Sequence, residues 1–394
     1  MIDWGELRRT TPVGRSFGFD RGHPVDRRYI GRFLEEHHDD IRGRVRRRPR
    51  LSTHRDLARR RLTRPPRPTG GSMFRSIARI ALAVVAAAGL SVAHAQSWPT
   101  KAVRVIVPFT AGSATDILAR TFGQKLQETW GQPVVIENRP GAGGTIGAGV
   151  VAHSAPDGYI LLVHSAGYAV NPWIYPGLTY DTAKDFTEIA PLGGQPNVLV
   201  VAPESGIKSV ADLIALAKQK PGTLNYGSAG TGSGTHVNGE KFKLATGIDV
   251  VHVPYKGTPE ALNDTMAGRV TYFFSPISAA LPQVKAGKLI ALAVSSAQRS
   301  SVLKDVPTLA ESGLPGFDYN LWVALFGPAG MPADVVERIN RDVQAAAQAP
   351  EVKERLTNLG AEPMPMGSAQ FKAFVRRELD DSQKVVQAAG IKAQ

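Results

Sequence analysis

The sequence predicts an α/β fold of two domains, with parallel-rich sheets and a cleft between the domains. Two observations carry the prediction. Short apolar, β-favouring runs alternate with amphipathic helical patterns over the last 300 or so residues, which is the signature of strands covered by helices. In addition, two stretches share one strand–loop–helix grammar: Val103-Arg-Val-Ile-Val-Pro-Phe-Thr-Ala-Gly-Ser-Ala-Thr-Asp-Ile117 and Leu224-Asn-Tyr-Gly-Ser-Ala-Gly-Thr-Gly-Ser-Gly-Thr-His236.

The beginning of the chain obscures this pattern. Its 394 residues carry a net charge of +13 and no cysteine, which invites a nucleic-acid reading. The charge is unevenly placed, however. Residues 1–72 hold 19 Arg against 9 acidic residues, whereas residues 96–394 hold 26 basic and 25 acidic residues. The part expected to fold is near neutral, and no nucleic-acid partner is expected. Runs such as Arg42-Gly-Arg-Val-Arg-Arg-Arg-Pro-Arg50 bury too little apolar surface to offset chain entropy, so 1–72 reads as a disordered Arg-rich extension, upstream of the working protein. Residues 73–95 then follow the grammar of a signal peptide: Arg75 and Arg79, the apolar core Ile80–Leu90, and Ala93-His-Ala95. Cleavage is expected after Ala95, with Met73 as initiator and the mature chain exported.

Within 96–394, strands are expected at Val103–Val107, Val134–Glu137, Ile160–His164, Val198–Val201, Val250–Val253, Val270–Phe274, Ile290–Val294 and Leu321–Phe326. Helical spacing places Ile117, Leu118, Phe122 and Leu126 on one face of 115–130. It does the same for Val210, Leu213, Ile214 and Ala217 in 209–219, and for Val335, Val336, Ile339 and Val343 in 332–347. No linker separates two beads, so the domains are expected to interleave: 96–197 plus 320–394 as one, 198–319 as the other.

Both glycine-rich loops lead into helix N-termini, whose free N–H groups and dipole suit an anion. They form the two expected halves of a cradle for a small anion, a carboxylate or a phosphate. Ala111, Gly112 and Ser113 supply the first half, and Ser228, Ala229, Gly230, Thr231 and Ser233 the second. Thr115 and Asp116 suit helix caps, and Thr115 is kept among the contacts. Enzyme frames fail. The residues around Ser233 do not fit G-x-S-x-G because Thr231 and Thr235 occupy its glycine positions, no P-loop occurs, and His153, His164, His236 and His252 have no metal-ligand spacing. No cofactor or metal is expected.

Nearly all of 98–391 resembles the Bug family of extracytoplasmic solute receptors, the binding components of tripartite tricarboxylate transporters. The resemblance rests on Trp98-Pro, Val107-Pro-Phe, Glu137-Asn-Arg-Pro-Gly-Ala-Gly-Gly144, Ala155-Pro-Asp-Gly-Tyr159, Leu224-Asn-Tyr-Gly-Ser-Ala-Gly230, Val251-His-Val-Pro-Tyr-Lys-Gly257 and Asp305-Val-Pro-Thr308. It implies a Venus-flytrap periplasmic binding protein of type II-like architecture, a monomer without catalysis, which captures a small carboxylate and delivers it to membrane transporter subunits. A ligand-presenting partner of a sensor and an exported α/β enzyme acting on a small anion are the alternatives. By family position Phe109 is expected to pack on the ligand. Ser165 is a further candidate contact, Tyr168 and Asn171 are expected to shape specificity, His236 forms either a polar cleft wall or a buried partner of its own loop, and Ser275 and Pro276 are expected to line the floor. Thr110 and Ser113 depart from the family's usual Pro and Gly in the first loop, and Tyr168 stands where a small polar residue is usual.

Overall fold

The computed structural model describes Trp98–Ile391. The expected extension 1–72 and signal peptide 73–95 lie outside the described residues. The chain runs β1 (Val103–Val107), α1 (Ala114–Trp130), β2 (Val134–Asn138), a 3-10 turn (Ala142–Gly144), α2 (Thr145–Ala152), β3 (Ile160–Ser165), α3 (Gly167–Ile174) and β4 (Phe186–Val201). It continues through α4 (Val210–Gln219), β5 (Asn225–Ser228), α5 (Gly234–Thr246), β6 (Val251–Pro254), α6 (Thr258–Met266), β7 (Tyr272–Pro276), α7 (Ile277–Lys285) and β8 (Ile290–Val294). It ends with β9 (Asn320–Pro328), α8 (Ala333–Gln348), α9 (Pro350–Asn358) and α10 (Ser368–Ala388).

Two half-sheets share β4. In the first, β1 pairs in parallel with β2 and β3, β3 pairs antiparallel with β9, and β9 pairs antiparallel with Phe186–Pro196 of β4. In the second, the end of β4 lies antiparallel between β7 and β8, while β5 runs parallel to β6 and β7. Pairs that involve neither β4 nor β9 are thus parallel, as βαβ crossovers require. The antiparallel pairs all involve β4 or β9, the two strands on either side of the crossing between half-sheets.

Helices cover both faces of each half-sheet. On the first, Leu118, Phe122, Val335 and Ile339 from α1 and α8 bury against one face, and Val151, Tyr168, Phe371 and Val375 against the other. On the second, Val210, Leu213 and Phe242 fill one side and Ala261, Leu262 and Ala280 the other. Each fully buried large side chain contributes about 1.5–3 kcal/mol. The helix α1 is delimited by Ser113 at its N-cap and by Gly131, in a left-handed conformation, at its C-cap. Its Trp130 donates from Nε1 to Asp342 Oδ2 on α8 at 2.8 Å, tying the C-terminal helices to the first half-sheet.

The strand β4 is far longer than the apolar run Val198–Val201. Its first part contains Pro191, Gly193, Gly194 and Pro196, which hide the strand period, and the register with β9 shifts twice there. Among the described residues no helix is long and apolar enough to cross a membrane.

Candidate functional site

The first loop leaves β1 at Pro108 and enters α1 at Ala114. Phe109 is 3% exposed and meets the His164 ring edge-on at 5.6 Å, with its carbonyl accepting from Asn138 Nδ2 at 3.0 Å. Gly112 donates its N–H to Asp116 Oδ2 at 2.9 Å, and Ser113 donates its N–H to the Thr110 carbonyl at 3.2 Å. Burial pushes the Asp116 carboxyl up, but Arg120, the Gly112 N–H and Asn138 outweigh it and hold the group below the usual carboxylate range. Asp116 therefore braces the loop from behind, as a first-turn acid should.

The second loop leaves β5 at Ser228 and enters α5 at Gly234. Ser233 caps α5, its Oγ accepting from the His236 N–H at 3.3 Å. The Ala229 N–H reaches Thr235 Oγ1 at 2.9 Å, and the Gly230 N–H reaches Ser228 Oγ at 3.0 Å.

The two loops face each other across a small cavity of ≈ 20 Å³, room for about one water molecule. Its lining brings together Phe109, Ser113, Ala114, Thr115, Ser165, Ala229, Ser233, Gly234, Thr235, Thr258, Pro276 and Leu321. Four helices begin at this wall: α1 at Ala114, α5 at Gly234, α6 at Thr258 and α7 directly after Pro276. None of the lining side chains is charged. Thr115 Oγ1 is buried and makes no hydrogen bond. The site thus presents N–H groups, hydroxyls and the positive ends of helix dipoles, each terminus favouring an anion by about 0.3–1 kcal/mol and by up to ~2 kcal/mol when partly buried.

Direct contacts hold the two sides together. Tyr175 donates its hydroxyl to the Thr231 carbonyl at 2.9 Å, the Thr258 N–H donates to Ser113 Oγ at 3.1 Å, and Thr110 Oγ1 donates to Glu260 Oε2 at 2.9 Å. Backbones approach closely as well. Gly143 has φ +60°, and a Cβ there would lie 2.0 Å from the Thr231 carbonyl oxygen. A Cβ on Gly167 would lie 2.7 Å from the Gly232 carbonyl oxygen.

Of the residues singled out from sequence, Phe109, Ser113, Thr115, Ser165, Ala229, Ser233 and Pro276 line the cavity. Ala111 and Gly112 are exposed, and the Gly112 and Ser113 N–H groups expected to meet a ligand are taken by Asp116 and Thr110. Tyr168 lies in the core instead: it is 2% exposed, stacks on Phe326 at 4.2 Å and donates to the Thr182 carbonyl at 2.7 Å. Asn171 spans to the Gly143 carbonyl at 3.2 Å, and Ser275 is buried within β7. Ser228, Gly230 and Thr231 shape the second loop without lining the cavity, and His236 sits beneath that loop, 3% exposed. Sequence reasoning passed over Ala114, Thr258 and Leu321, whereas Gly234 and Thr235 end the glycine-rich loop from Ser228 to Thr235 that it favoured for binding. The strand–loop–helix unit of β6 and α6 carried a signal for Thr258, whereas Leu321 reads only as a strand residue. Among the described residues no group of three His, Asp or Glu side chains could hold a metal ion.

Residues 118–391 match the tripartite tricarboxylate transporter family receptor. Protein BugT of Bordetella pertussis is 35% identical over 323 residues, covering 82% of this chain and 99% of that protein. Two solved structures are also similar. R. palustris Rpa4515 with adipate is 37% identical, with a TM-score of 0.74, over 76% of this chain and 100% of that one. MatC (Rpa3494) from Rhodopseudomonas palustris with bound malate is 35% identical, with a TM-score of 0.70, over 73% of this chain and 100% of that one. The fold, its paired glycine-rich loops and these matches agree, and the chain belongs to the tripartite tricarboxylate transporter receptor family, whose members are binding proteins and not enzymes.

Proposed function

We propose that this protein is a periplasmic receptor that captures a small dicarboxylate between two lobes, closes over it and presents it to the membrane subunits of a tripartite transporter. The lobes are 96–197 with 320–394, and 198–319, and the working unit is a monomer. The signal-peptide grammar of 73–95 supports the periplasmic placement.

The observation that carries this reading is the convergence of four helix N-termini on a cavity whose buried Thr115 Oγ1 has no partner and whose lining has no charged side chain. A carboxylate there is held by oriented N–H groups and hydroxyls, which a low-dielectric enclosure strengthens. The relatives captured with adipate and with malate hold dicarboxylates, which agrees with an anion at this wall. A cavity of ≈ 20 Å³ cannot take such a molecule, so entry requires the lobes to part and binding is completed by their return.

The test is a thermal-unfolding screen of the purified protein against mono-, di- and tricarboxylates, amino acids and aromatic acids. A ligand at 100 times its dissociation constant stabilises by about 2.7 kcal/mol and raises the melting temperature by several degrees. A dicarboxylate that does so and is recovered unchanged supports the receptor. Absence of a shift with every acid in the panel contradicts it.

A further inference from the structure

Two histidines lie under the second cleft loop and do not line the cavity. His236, on α5, is stacked on His252 of β6 with ring centroids 4.1 Å apart and planes 28° from parallel. Tyr226 of β5 continues the stack, 4.9 Å from His252. Each imidazole holds one end of the loop. The Gly232 N–H donates to His236 Nδ1 at 3.2 Å, so that nitrogen is an acceptor and carries no proton. His252 Nε2 lies 2.6 Å from Ser228 Oγ, which accepts the Gly230 N–H at 3.0 Å. The Ser228 oxygen has two lone pairs, one of them engaged by Gly230, so Oγ and Nε2 share one hydrogen bond whose donor is set by the tautomer of a neutral His252.

We propose that the stacked His236–His252 pair positions the loop Ser228–Ser233 for solute, with both rings neutral and His236 Nδ1 accepting from the Gly232 N–H, so that protonation of the pair at His236 Nδ1 unlatches the loop and weakens binding in acid. This rests on the receptor reading above.

The surroundings fit neutral rings. The groups facing the pair are Tyr226 on β5 and Glu240 and Lys243 on α5, with Tyr272 on β7 stacked on Tyr226 at 5.6 Å. Glu240 is engaged by the Tyr226 hydroxyl and by Lys243 at 2.9 Å, so neither imidazole has a carboxylate partner in hydrogen-bonding contact. Burial, with a smaller contribution from Lys243, pushes His236 down to about 4. Burial, then His236 itself, pushes His252 down to about 3. A proton on either ring disfavours one on the other, so the pair titrates as a unit. Placing a proton on His236 Nδ1 would turn an acceptor into a donor against the Gly232 N–H and break the latch.

Two readouts test this together. The first is amide hydrogen exchange of Gly230 and Gly232, read as protection factors at pH 7 and pH 4.5 without added solute. The second is the affinity for adipate and malate over the same range. His236→Asn returns an acceptor near Nδ1, whereas His236→Gln places its amide near Nε2 and leaves the Gly232 N–H without a partner. His236→Gln is expected to lose at least about fivefold in Gly232 protection and in affinity, the lower bound for one buried N–H left unpaired. His236→Asn is expected to recover most of both and to lose less between pH 7 and 4.5 than the parent protein. Comparing variants at one pH cancels titration of the acid itself. Equal Gly232 protection in His236→Gln and parent, or His236→Asn behaving as His236→Gln, would overturn the proposal. If the protection factors follow the expected order while neither adipate nor malate binds, the loop latch stands and the dicarboxylate reading fails.

Discussion

Replacing Gly167 by alanine separates the proposed lobe closure from folding. Gly167 opens α3 and its φ lies outside the left-handed region, so alanine fits its backbone and favours the helix by up to about 1 kcal/mol. The obstacle lies across the cleft: the new Cβ would sit 2.7 Å from the Gly232 carbonyl oxygen and 3.1 Å from Ser233 Cα. A carbon–oxygen contact of about 3.3 Å is comfortable, so the lobes must stop roughly half an ångström short of their present approach. Overpacking of this kind costs about 1–3 kcal/mol, which converts to roughly 5- to 150-fold weaker solute binding. Isothermal titration of parent and Gly167→Ala with the stabilising dicarboxylate reads the affinity, and thermal unfolding without solute reads the fold. Unchanged affinity, with the same compaction by small-angle scattering, would refute closure through this contact.

Other changes act at separate points. Thr115→Val removes a hydroxyl that has no partner in the protein, so stability should hold or rise slightly while calorimetric affinity falls at least about fivefold. Tyr175→Phe removes the hydroxyl bonded to the Thr231 carbonyl and should weaken binding about 2- to 10-fold, mainly through faster dissociation measured by stopped flow. Tyr168→Phe should cost about 1 kcal/mol in chemical denaturation and leave affinity within twofold, because its hydroxyl serves the Thr182 carbonyl. Stability should also fall in acid. His164, His236 and His252 are held down to about 4, 4 and 3 by burial, against 6.5. Between these values and 6.5 the unfolded chain binds more protons than the folded one, so their contribution is complete above about pH 6.5 and is lost as pH falls. Each imidazole adds up to about 1.4 kcal/mol per pH unit to the slope. Urea denaturation from pH 7 to 4.5 reads it, and a flat profile would contradict the burial of these rings.

Local pattern made much of the fold legible. The apolar runs Val103–Val107 and Ile290–Val294 match β1 and β8 in full, and the helical face through Val335, Val336, Ile339 and Val343 is buried in α8. The first part of β4 escaped because its prolines and glycines belong to a bulged strand whose partner, β9, lies more than a hundred residues on. The cleft loops were legible for a similar reason: strand, small-residue loop and helix cap are local signals. Which groups face the cavity was not. The Gly112 N–H turns inward to Asp116, Tyr168 packs on Phe326, and Leu321 reaches the cavity only because β9 runs beside β4. Those outcomes depend on competition among partners distant in sequence, which spacing does not encode.

The most direct measurement is calorimetric titration of the purified protein with adipate, malate and related dicarboxylates, followed by recovery of the bound compound. Saturable binding of one molecule per chain, with the compound recovered unchanged and the affinity reduced by Thr115→Val, is the predicted result. Absence of saturable binding by any dicarboxylate, or binding indifferent to Thr115, would contradict capture at the converging helix N-termini.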